Sequence, residues 1–375
     1  MNMMELPTPC YVIDEEQLEK NLKLLHRVEQ EAGCKILLAQ KAFSAFCEYP
    51  LIGKYISGTT ASGLYEARLG AEEMGKENHI FSPGYQEKDF PEILRLCDHI
   101  VFNSFYQLEK FKEQCRMQGK SIGLRVNPEC STQQGHEIYD PCGAGSRLGV
   151  RAEQFAGRSL EGIDGLHFHT LCEQNADDLE TTLRAVEEKF GTYLHEMKWL
   201  NFGGGHHITR PDYDIERLIG CIRHMKETYH VEVYLEPGEA IALNAGYLVT
   251  EVIDIVENGL PVLILDASAA CHMPDVLEMP YRPPLKDAGL PGEKTHTYRL
   301  SSATCLAGDV IGDYSFDREI KRGDKLVFQD MAIYSMVKNN TFNGMPLPAI
   351  CAGNGQKGYR MIKTFGYQDF KERLS

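Results

Sequence analysis

Residues 35–39 read KILLA, a largely apolar run of strand length, and they open a series of eight such runs within the first 240 residues. The other seven are 58–62 (GTTAS), 79–83 (HIFSP), 100–103 (IVFN), 122–127 (IGLRVN), 165–169 (GLHFH), 199–203 (WLNFG) and 233–237 (VYLEP). Helical patterns accompany them at 15–30, 64–74, 176–190 and 215–229. Strands that alternate with helices imply a parallel sheet, and eight such units close into a (β/α)₈ barrel. An open doubly wound sheet is the competitor, but its usual glycine-rich first turn is missing from LLAQKAFS.

The sequence pattern changes after about residue 240, where short runs typical of β-strands follow one another with little helical periodicity. These runs are 249–256, 261–265, 325–328 and 361–364. We therefore expect an α/β barrel domain at 14–240 and a separate C-terminal β domain at 241–375, with residues 1–13 contributing a strand to the β domain.

The composition excludes several classes of protein. There are 39 Lys and Arg residues against 54 Asp and Glu, a formal charge of −15, which argues against nucleic acid as a partner and favours a small cation. The apolar stretches fall short of the ~20 residues that a membrane-spanning helix needs. We expect no export signal, because residues 1–10 show neither a basic region nor a long apolar core. None of the twelve cysteines forms a CxxC pair. We expect a cytoplasmic enzyme with reduced thiols and no bound metal.

Functional groups in such a barrel lie at the carboxyl ends of the strands. Lys41 follows the first strand, where partial desolvation would lower its pKa and suit Schiff-base chemistry; an ordinary surface lysine is the alternative. Gly203, Gly204 and Gly205 could close their N–H groups on a phosphate or could form a tight turn. Glu236 could pair with the ring nitrogen of a pyridine cofactor or could form a salt bridge.

The histidines allow two interpretations. His167 and His169 share one face of a strand, and with His206 and His207 they could form the metal site of a barrel metallohydrolase. Alternatively, His169 could stack on a flat cofactor while His167 is a hydrogen-bonded core residue. A lysine after the first strand and a glycine-rich loop after the seventh fit the second interpretation better. Together these groups indicate one site for one cofactor, pyridoxal phosphate.

The β domain offers one further reactive group. Cys305 lies in a glycine-containing loop, SATCLAGD, where a thiol could exchange protons, whereas most other cysteines read as small buried hydrophobes. Tyr334 is followed by the turn TFNG at 341–344, which carries no signal by itself.

Taken together, these segments resemble the fold-type III pyridoxal-phosphate decarboxylases over nearly the whole chain, and most of all the carboxynorspermidine/carboxyspermidine decarboxylase family. The segments that carry the resemblance are ILLAQKAFS, GLYEA, GLHFHTLCE, NFGGGHHIT, YLEPGEA, CHMPD, TCLAGD and KNNTFNG. The resemblance implies a homodimer with active sites at the interface. It also implies decarboxylation of carboxynorspermidine and carboxyspermidine, small cationic carboxylated polyamines, to norspermidine and spermidine in polyamine biosynthesis.

The resemblance also implies a role for each candidate residue. The cofactor would be held by Lys41 (as a Schiff base), His169 (stacked on the ring), Glu236 (paired with the pyridinium) and Gly203, Gly204, Gly205 and Tyr334 (around the phosphate). Cys305, from the partner subunit, would protonate the substrate carbon after carbon dioxide leaves.

Substrate preference is expected to depend on a departure from the wider superfamily. Diaminopimelate decarboxylases carry EPGR where this chain has Glu239, and a carboxylate there suits a distal ammonium rather than a distal carboxylate. Asp275 is a second candidate for binding a substrate amine; solvated loop charges are the alternative for both residues. Cys172 stands where relatives of the ornithine type have a serine near the phosphate. Diaminopimelate decarboxylase is the alternative function, and a barrel metallohydrolase is a more remote one.

Overall fold

The computed structural model describes residues 1–133 and 140–375. The chain divides into two compact units, Met1–Lys20 with Ala242–Ser375, and Asn21–Ile241. The chain begins with strand β1 (Cys10–Asp14) and helix α1 (Glu15–Ala32), and the division falls within this helix. The barrel domain expected from the sequence, 14–240, differs slightly from the unit Asn21–Ile241, because it included the first turns of α1.

The unit Asn21–Ile241 is a closed barrel of eight parallel strands, which confirms the predicted fold. Its strands are β2 (Lys35–Ala39), β3 (Gly58–Ala61), β4 (Glu77–Phe81), β5 (His99–Phe102), β6 (Ser121–Arg125), β7 (Gly165–His167), β8 (Trp199–Asn201) and β9 (Glu232–Leu235). Each strand pairs with the next, and β9 pairs with β2 to close the barrel.

Helices follow most of the barrel strands. They are α2 (Tyr49–Ile52), α3 (Leu64–Leu69), α4 (Phe90–Leu96), α5 (Phe105–Met117), α6 (Ala176–Leu194), α7 (Ile215–Tyr229) and the short α8 (Glu239–Ala242). The long helices start at polar caps: Ser104 accepts the N–H of Gln107 before α5, and Asp214 accepts that of Arg217 before α7. Such caps satisfy amide groups that a helix leaves unpaired at its first turn.

Trp199 fills the interior of the barrel near the amino ends of its strands. A Cβ at Gly165 would lie 2.0 Å from the Trp199 ring, and one at Gly123 would lie 2.3 Å from it. The indole Nε1 donates to Ser121 Oγ at 2.9 Å, and His99 stacks on the ring at 5.0 Å. Two glycines on neighbouring strands therefore make room for one large side chain.

The second unit is built on an eight-stranded sheet. The strands after β9 are β10 (Gly246–Glu257), β11 (Pro261–Leu265), β12 (His296–Ser302), β13 (Val310–Phe316), β14 (Lys325–Gln329), β15 (Ala349–Asn354) and β16 (Gly358–Lys363). Their order is β13-β12-β11-β10-β1-β15-β16, with β14 paired to β10. Strand β1 thus lies within this sheet, antiparallel to β10 and parallel to β15.

Short helices connect the strands of this unit, namely α9 (Ala269–His272), α10 (Asp275–Glu278), α11 (Ser335–Lys338) and the terminal α12 (Tyr367–Lys371). A cluster of fully buried side chains, including Tyr11, Leu248 and Phe328, forms its core. In the part of the chain that the structure describes, no helix has both the length and the apolar character needed to span a bilayer.

Candidate active site

A cavity of about 250 Å³ lies at the carboxyl ends of the barrel strands. The side chains in its wall that matter for chemistry are Lys41, Phe81, Arg125, His167, His169 and Glu236. Because parallel strands end at one rim of the barrel, residues far apart in sequence meet there. Lys41, His169 and Glu236, which the sequence singled out, are thus brought together.

Glu236 follows β9 directly and is only 7% exposed. Its Oε1 accepts a hydrogen bond from Asn201 Nδ2 at 2.8 Å, and its Oε2 lies 3.2 Å from His167 Nε2. Burial would raise the pKa of this carboxyl group, but the His167 and Asn201 contacts outweigh burial and lower the pKa to about 2. Glu236 is therefore an ionised carboxylate at neutral pH.

Lys41 lies two residues beyond β2, and its side chain can be reached from solvent. Protein nevertheless surrounds the amine on most sides. This desolvation, reinforced by the charge of Arg125, lowers the pKa of the Lys41 ammonium, while Glu236 opposes the change. A larger fraction of Lys41 is thus the neutral amine, which is the nucleophilic form.

His169 lies two residues beyond β7, and its Nδ1 accepts the Gly204 N–H at 3.1 Å. Burial, together with the Lys41 and Arg125 charges, lowers the pKa of His169 well below its ordinary value. The imidazole is therefore neutral and carries its proton on Nε2. A neutral flat ring at the cavity wall suits stacking better than proton transfer.

Arg125, the last residue of β6, is a buried cation that was not predicted from the sequence as a site residue. Its Nη2 donates to the His169 carbonyl oxygen at 3.0 Å, and the guanidinium lies 4.6 Å from the centre of the Phe81 ring. Burial lowers the pKa of Arg125 to about 10, so the group is still charged. Among the described residues its Nε has no partner, which leaves a donor for an anionic oxygen in the cavity.

The three glycines after β8 pack against neighbouring backbone. Gly203 and Gly205 have φ of +68° and +83°, and a Cβ at Gly205 would lie 1.9 Å from the Leu171 carbonyl oxygen. A Cβ at Gly204 would lie 2.6 Å from the Glu236 carbonyl oxygen. Only glycine can occupy this loop. Within the described ranges, the Gly205 N–H donates to no protein acceptor.

Glu239 begins α8, and its Oε1 lies 3.7 Å from His207 Nε2. Burial lowers the pKa of His207 to about 4, so this imidazole is neutral and the contact is not an ion pair at neutral pH. The charges of Glu239 and Lys41 both influence Cys172, whose pKa burial raises to about 11. The Leu171–Cys172 peptide itself packs against Gly205.

Cys305 belongs to the other unit, in a loop held by Asp309. This buried carboxylate accepts hydrogen bonds from Ser268 Oγ at 2.7 Å and Thr304 Oγ1 at 2.6 Å. Burial opposes its ionisation, but the hydroxyl hydrogen bonds outweigh burial and lower the pKa of Asp309. The exposed Cys305 donates its backbone N–H to Asn343 Oδ1 at 2.9 Å, so the TFNG turn supports the thiol loop.

Tyr334 and Asp275 lie in the same unit as Cys305. Tyr334 precedes α11 with φ of +54°, a left-handed backbone conformation that is costly for a large side chain. Asp275, at the start of α10, forms an ion pair with Lys338, which also pairs with Glu278. A substrate amine at Asp275 would therefore compete with a resident cation.

The four histidines of the metallohydrolase interpretation, His167, His169, His206 and His207, do not gather as that metal site would require. In residues 1–133 and 140–375, the ligand-type side chains that lie within 4.8 Å of one another are those of Glu77, His79 and His99, towards the amino ends of β4 and β5. His167 instead contacts Glu236, and His206 contacts the Phe202 carbonyl oxygen. This geometry disfavours the metallohydrolase interpretation.

Comparison with known proteins decides the family. The model of the pyridoxal-dependent decarboxylases, described by their C-terminal sheet domain, matches residues 10–332. The chain belongs to the pyridoxal-dependent decarboxylase family. It is an enzyme of this class, and pyridoxal phosphate is its cofactor.

Two relatives in this decarboxylase family cover almost the whole chain. The carboxynorspermidine/carboxyspermidine decarboxylase of Campylobacter jejuni is 45% identical, with 98% of this chain and 99% of that protein aligned. The carboxyaminopropylagmatine decarboxylase of Synechocystis is 43% identical, with 99% and 96% aligned. The diaminopimelate decarboxylase of Deinococcus radiodurans is more distant, at 25% identity.

A solved structure of the decarboxylase family shares the complete fold. The crystal structure of carboxynorspermidine decarboxylase complexed with norspermidine, from Campylobacter jejuni, superposes with a TM-score of 0.93. The two chains are 44% identical, and the alignment covers 98% of this chain and 100% of the other.

Proposed function

We propose that this decarboxylase acts on carboxynorspermidine and carboxyspermidine and releases carbon dioxide with norspermidine or spermidine, in polyamine biosynthesis. The observation that carries the proposal is one cavity with both an amine of lowered pKa, Lys41, and an ionised buried carboxylate, Glu236. The 45% identity to the Campylobacter jejuni enzyme supports the choice of substrate.

The donor groups of the cavity fit pyridoxal phosphate. Lys41 offers a neutral amine to an aldehyde, Glu236 offers a negative charge to a protonated ring nitrogen, and Arg125 offers an unpartnered N–H to an anionic oxygen. The bound cofactor supplies an electron sink for the pair of electrons that carbon dioxide leaves behind. We propose that Lys41 holds this cofactor covalently and that the neutral His169 packs against its ring.

The phosphate group of the cofactor has a matching receptor. Gly203, Gly204 and Gly205 form a loop without side chains, and the Gly205 N–H is available as a donor. We propose that these glycines and the Tyr334 hydroxyl group bind the phosphate. The strained backbone at Tyr334 supports a functional role for that residue.

Glu239 is proposed to bind the distal ammonium group of the polyamine. The adjacent His207 is neutral, so its contact with Glu239 is not an ion pair at neutral pH and does not cancel the negative charge of that carboxylate. Asp275 is proposed as a second, weaker contact, since the substrate must displace Lys338 from it. A carboxylate at position 239 disfavours meso-diaminopimelate, whose distal end is itself negative.

Cys305 is proposed to donate its thiol proton to the substrate carbon that has lost carbon dioxide. We propose a homodimer in which this thiol serves the site of the partner subunit, as the family resemblance implies. A cytoplasmic location is proposed because the twelve cysteines are thiols and not disulfides, the state that a reducing compartment maintains.

The proposed function is tested by carbon dioxide release from four substrates with pyridoxal phosphate present. These are carboxynorspermidine, carboxyspermidine, carboxyaminopropylagmatine and meso-diaminopimelate. Release from the first two supports the proposal. Release from carboxyaminopropylagmatine alone, or from meso-diaminopimelate alone, would show that the proposed substrates are wrong and would assign that compound in their place. No release from any of the four would refute the proposed activity.

Two isosteric variants then test the substrate contact. Glu239→Gln should raise KM for carboxynorspermidine on the order of 10- to 100-fold, because a charge-assisted contact is lost, with little change in kcat. Glu173→Gln is the matched control, since Glu173 is exposed and its charge also reaches Cys172. Equal KM values for the two variants would contradict the role of Glu239.

A mixing experiment tests the dimer. Neither Lys41→Ala nor Cys305→Ala should form polyamine product alone, but a statistical mixture of the two should recover roughly a quarter of the wild-type rate of product formation, since half of the dimers then contain one intact site of two. No recovery on mixing would place both residues in the same subunit's site.

A further inference from the structure

Asn201, the last residue of β8, joins two parts of the cavity wall. The residue is fully buried. Its Nδ2 donates to Glu236 Oε1 at 2.8 Å, and its Oδ1 accepts the Gly203 N–H at 2.8 Å. A carboxylate can only accept and an N–H can only donate, so the orientation of the amide is settled by its partners. One side chain thus connects the Glu236 carboxylate to the glycine loop.

His167 holds the other carboxylate oxygen. Its Nε2 lies 3.2 Å from Glu236 Oε2, and the ring stacks on Phe81 with centroids 5.5 Å apart. The imidazole is almost fully buried, and burial lowers its pKa. The ring is therefore neutral and donates from Nε2. Both oxygens of Glu236 are held by residues of different strands, Oε1 by Asn201 of the adjacent β8 and Oε2 by His167 of β7, one strand further on.

We propose that Asn201 and His167 form a clamp, a pair of positioning residues that keeps Glu236 ionised and fixed in distance from the glycine loop. The inference rests on the proposed function, in which Glu236 receives the ring nitrogen and the glycines receive the phosphate. These two ends of the cofactor are then bound by groups that the Asn201 amide holds together. A rigid second layer of this kind positions reacting groups to within a fraction of an ångström.

The clamp acts within a wider set of charges. The other titratable or charged groups coupled to Glu236 are Lys41 after β2, His79 on β4, Tyr85 after β4, His99 on β5, Arg125 on β6 and His206 after β8. Burial itself opposes ionisation of Glu236. The clamp hydrogen bonds counteract this effect of burial. Removal of one of them should therefore raise the pKa of Glu236, so that the carboxylate takes up a proton more readily.

An isosteric pair of variants isolates the clamp. Asn201→Asp keeps the acceptor for the Gly203 N–H but replaces the donor to Glu236 with a second carboxylate oxygen. Asn127→Asp is the matched control, because Asn127 Oδ1 likewise accepts the N–H two residues ahead, at 2.8 Å from Glu129, just beyond β6. The measurements are the visible absorbance of the bound cofactor as a function of pH, the Kd for pyridoxal phosphate, and kcat and KM.

Asn201→Asp is expected to make the visible band change with pH over a range where the wild-type band is constant. Cofactor affinity and kcat should each fall on the order of 10- to 100-fold, with KM nearly unchanged, because a hydrogen bond to a charged group is lost. Asn127→Asp should match the wild type. An Asn201→Asp band that titrates like that of Asn127→Asp overturns the proposal.

His167 provides the second pair. His167→Gln keeps an N–H donor and should retain most of the wild-type absorbance behaviour, whereas His167→Phe keeps only the stacking and should not. Equal titrations for these two variants would overturn the clamp even if Asn201→Asp fails to fold. The absorbance measurement needs no substrate. A wild type that binds cofactor but leaves carboxynorspermidine intact would therefore refute the proposed function and still test the clamp.

Discussion

Gly165→Ala should destabilise the barrel, because it places a methyl group where Trp199 already lies. Gly165 starts β7 and Trp199 starts β8, and the two residues are direct neighbours in the sheet. The new Cβ would lie 2.0 Å from the indole ring. Ordinary carbon contacts are about 3.5 to 4.0 Å, so the ring or the strand must move by about 1.5 Å.

The surroundings of Trp199 leave little room for that movement. His99 stacks on the ring at 5.0 Å, and the backbone of Gly123 lies against another part of it. Overpacking of this kind costs about 1 to 3 kcal/mol, and loss of the hydrogen bond from Trp199 to Ser121 adds about 1 kcal/mol. The free energy of unfolding of the barrel should therefore fall by about 2 to 4 kcal/mol.

Urea unfolding followed by tryptophan fluorescence measures this change directly. Trp199 is the single tryptophan of the chain and lies in the barrel, so its emission reports on that unit alone. The urea midpoint should drop by about 1 M. Gly220→Ala in α7 is the control, since a Cβ there meets open space, and it should raise stability by about 0.5 to 1 kcal/mol. An unchanged midpoint for Gly165→Ala would refute the packing argument.

Two further predictions concern the candidate site, and a third concerns His99 at the amino end of the barrel. Lys41→Ala should abolish the pyridoxyl–protein adduct formed on borohydride reduction, and mass spectrometry that still finds the adduct would contradict covalent attachment there. Cys305→Ala should lose polyamine product while some carbon dioxide is still released; unchanged turnover would exclude the thiol as proton donor. Burial lowers the pKa of His99 from its ordinary 6.5 to about 3, so the folded state keeps this ring neutral. Its contribution to stability is complete above pH 6.5 and is lost as the pH falls towards 3, so the urea midpoint should decrease over that range; a constant midpoint would contradict it.

The barrel could be predicted from the sequence because its strands are short, most of them are apolar, and helices follow most of them. The bounds were less accurate where a charged residue starts a strand. The third run was expected to start at His79, yet β4 begins at Glu77. The Glu77 carboxylate is accommodated by Lys35 Nζ at 3.0 Å and Tyr234 OH at 2.9 Å. A single sequence shows the charge but not the distant partners that permit it.

The β unit was predicted less completely than the barrel. Strands β12, β13 and β15 were not identified individually, because each mixes polar residues or glycine into its pattern. Gly312 in β13 and Gly353 in β15 have φ of +156° and +151°, where a side chain is unfavourable. In the sequence, an isolated glycine of this kind indicates a turn or a bulge, although in the structure the strand continues on both sides of it.

Site residues of the barrel could be predicted from their positions in the sequence, whereas those of the β unit could not. In a parallel barrel, a position just after a strand is also a position at the common rim, so Lys41, His169 and Glu236 could be chosen by counting along the chain. Arg125 and Asn201 were not predicted because they lie inside the expected runs 122–127 and 199–203, whereas the strands themselves end at these two residues. The sequence could have indicated both residues if every polar residue near the carboxyl end of a strand, and not only those beyond it, had been counted as a candidate.

No such rule applies to Cys305. Its loop is shaped by Asp309, whose hydrogen-bonding partner Ser268 lies 41 residues away, and by Asn343, which lies 38 residues beyond the thiol. Separations of 41 and 38 residues follow no helix or strand repeat, so the sequence alone does not show that these residues contact the loop. The loop sequence indicated only that the Cys305 thiol could exchange protons, and its role as the proton donor came from the family resemblance, whereas the role of Glu236 could be inferred from its position at a strand end and its charge. Substitutions at Asp309 and Asn343 would accordingly test the loop by its physical supports, independently of the resemblance that assigned its role.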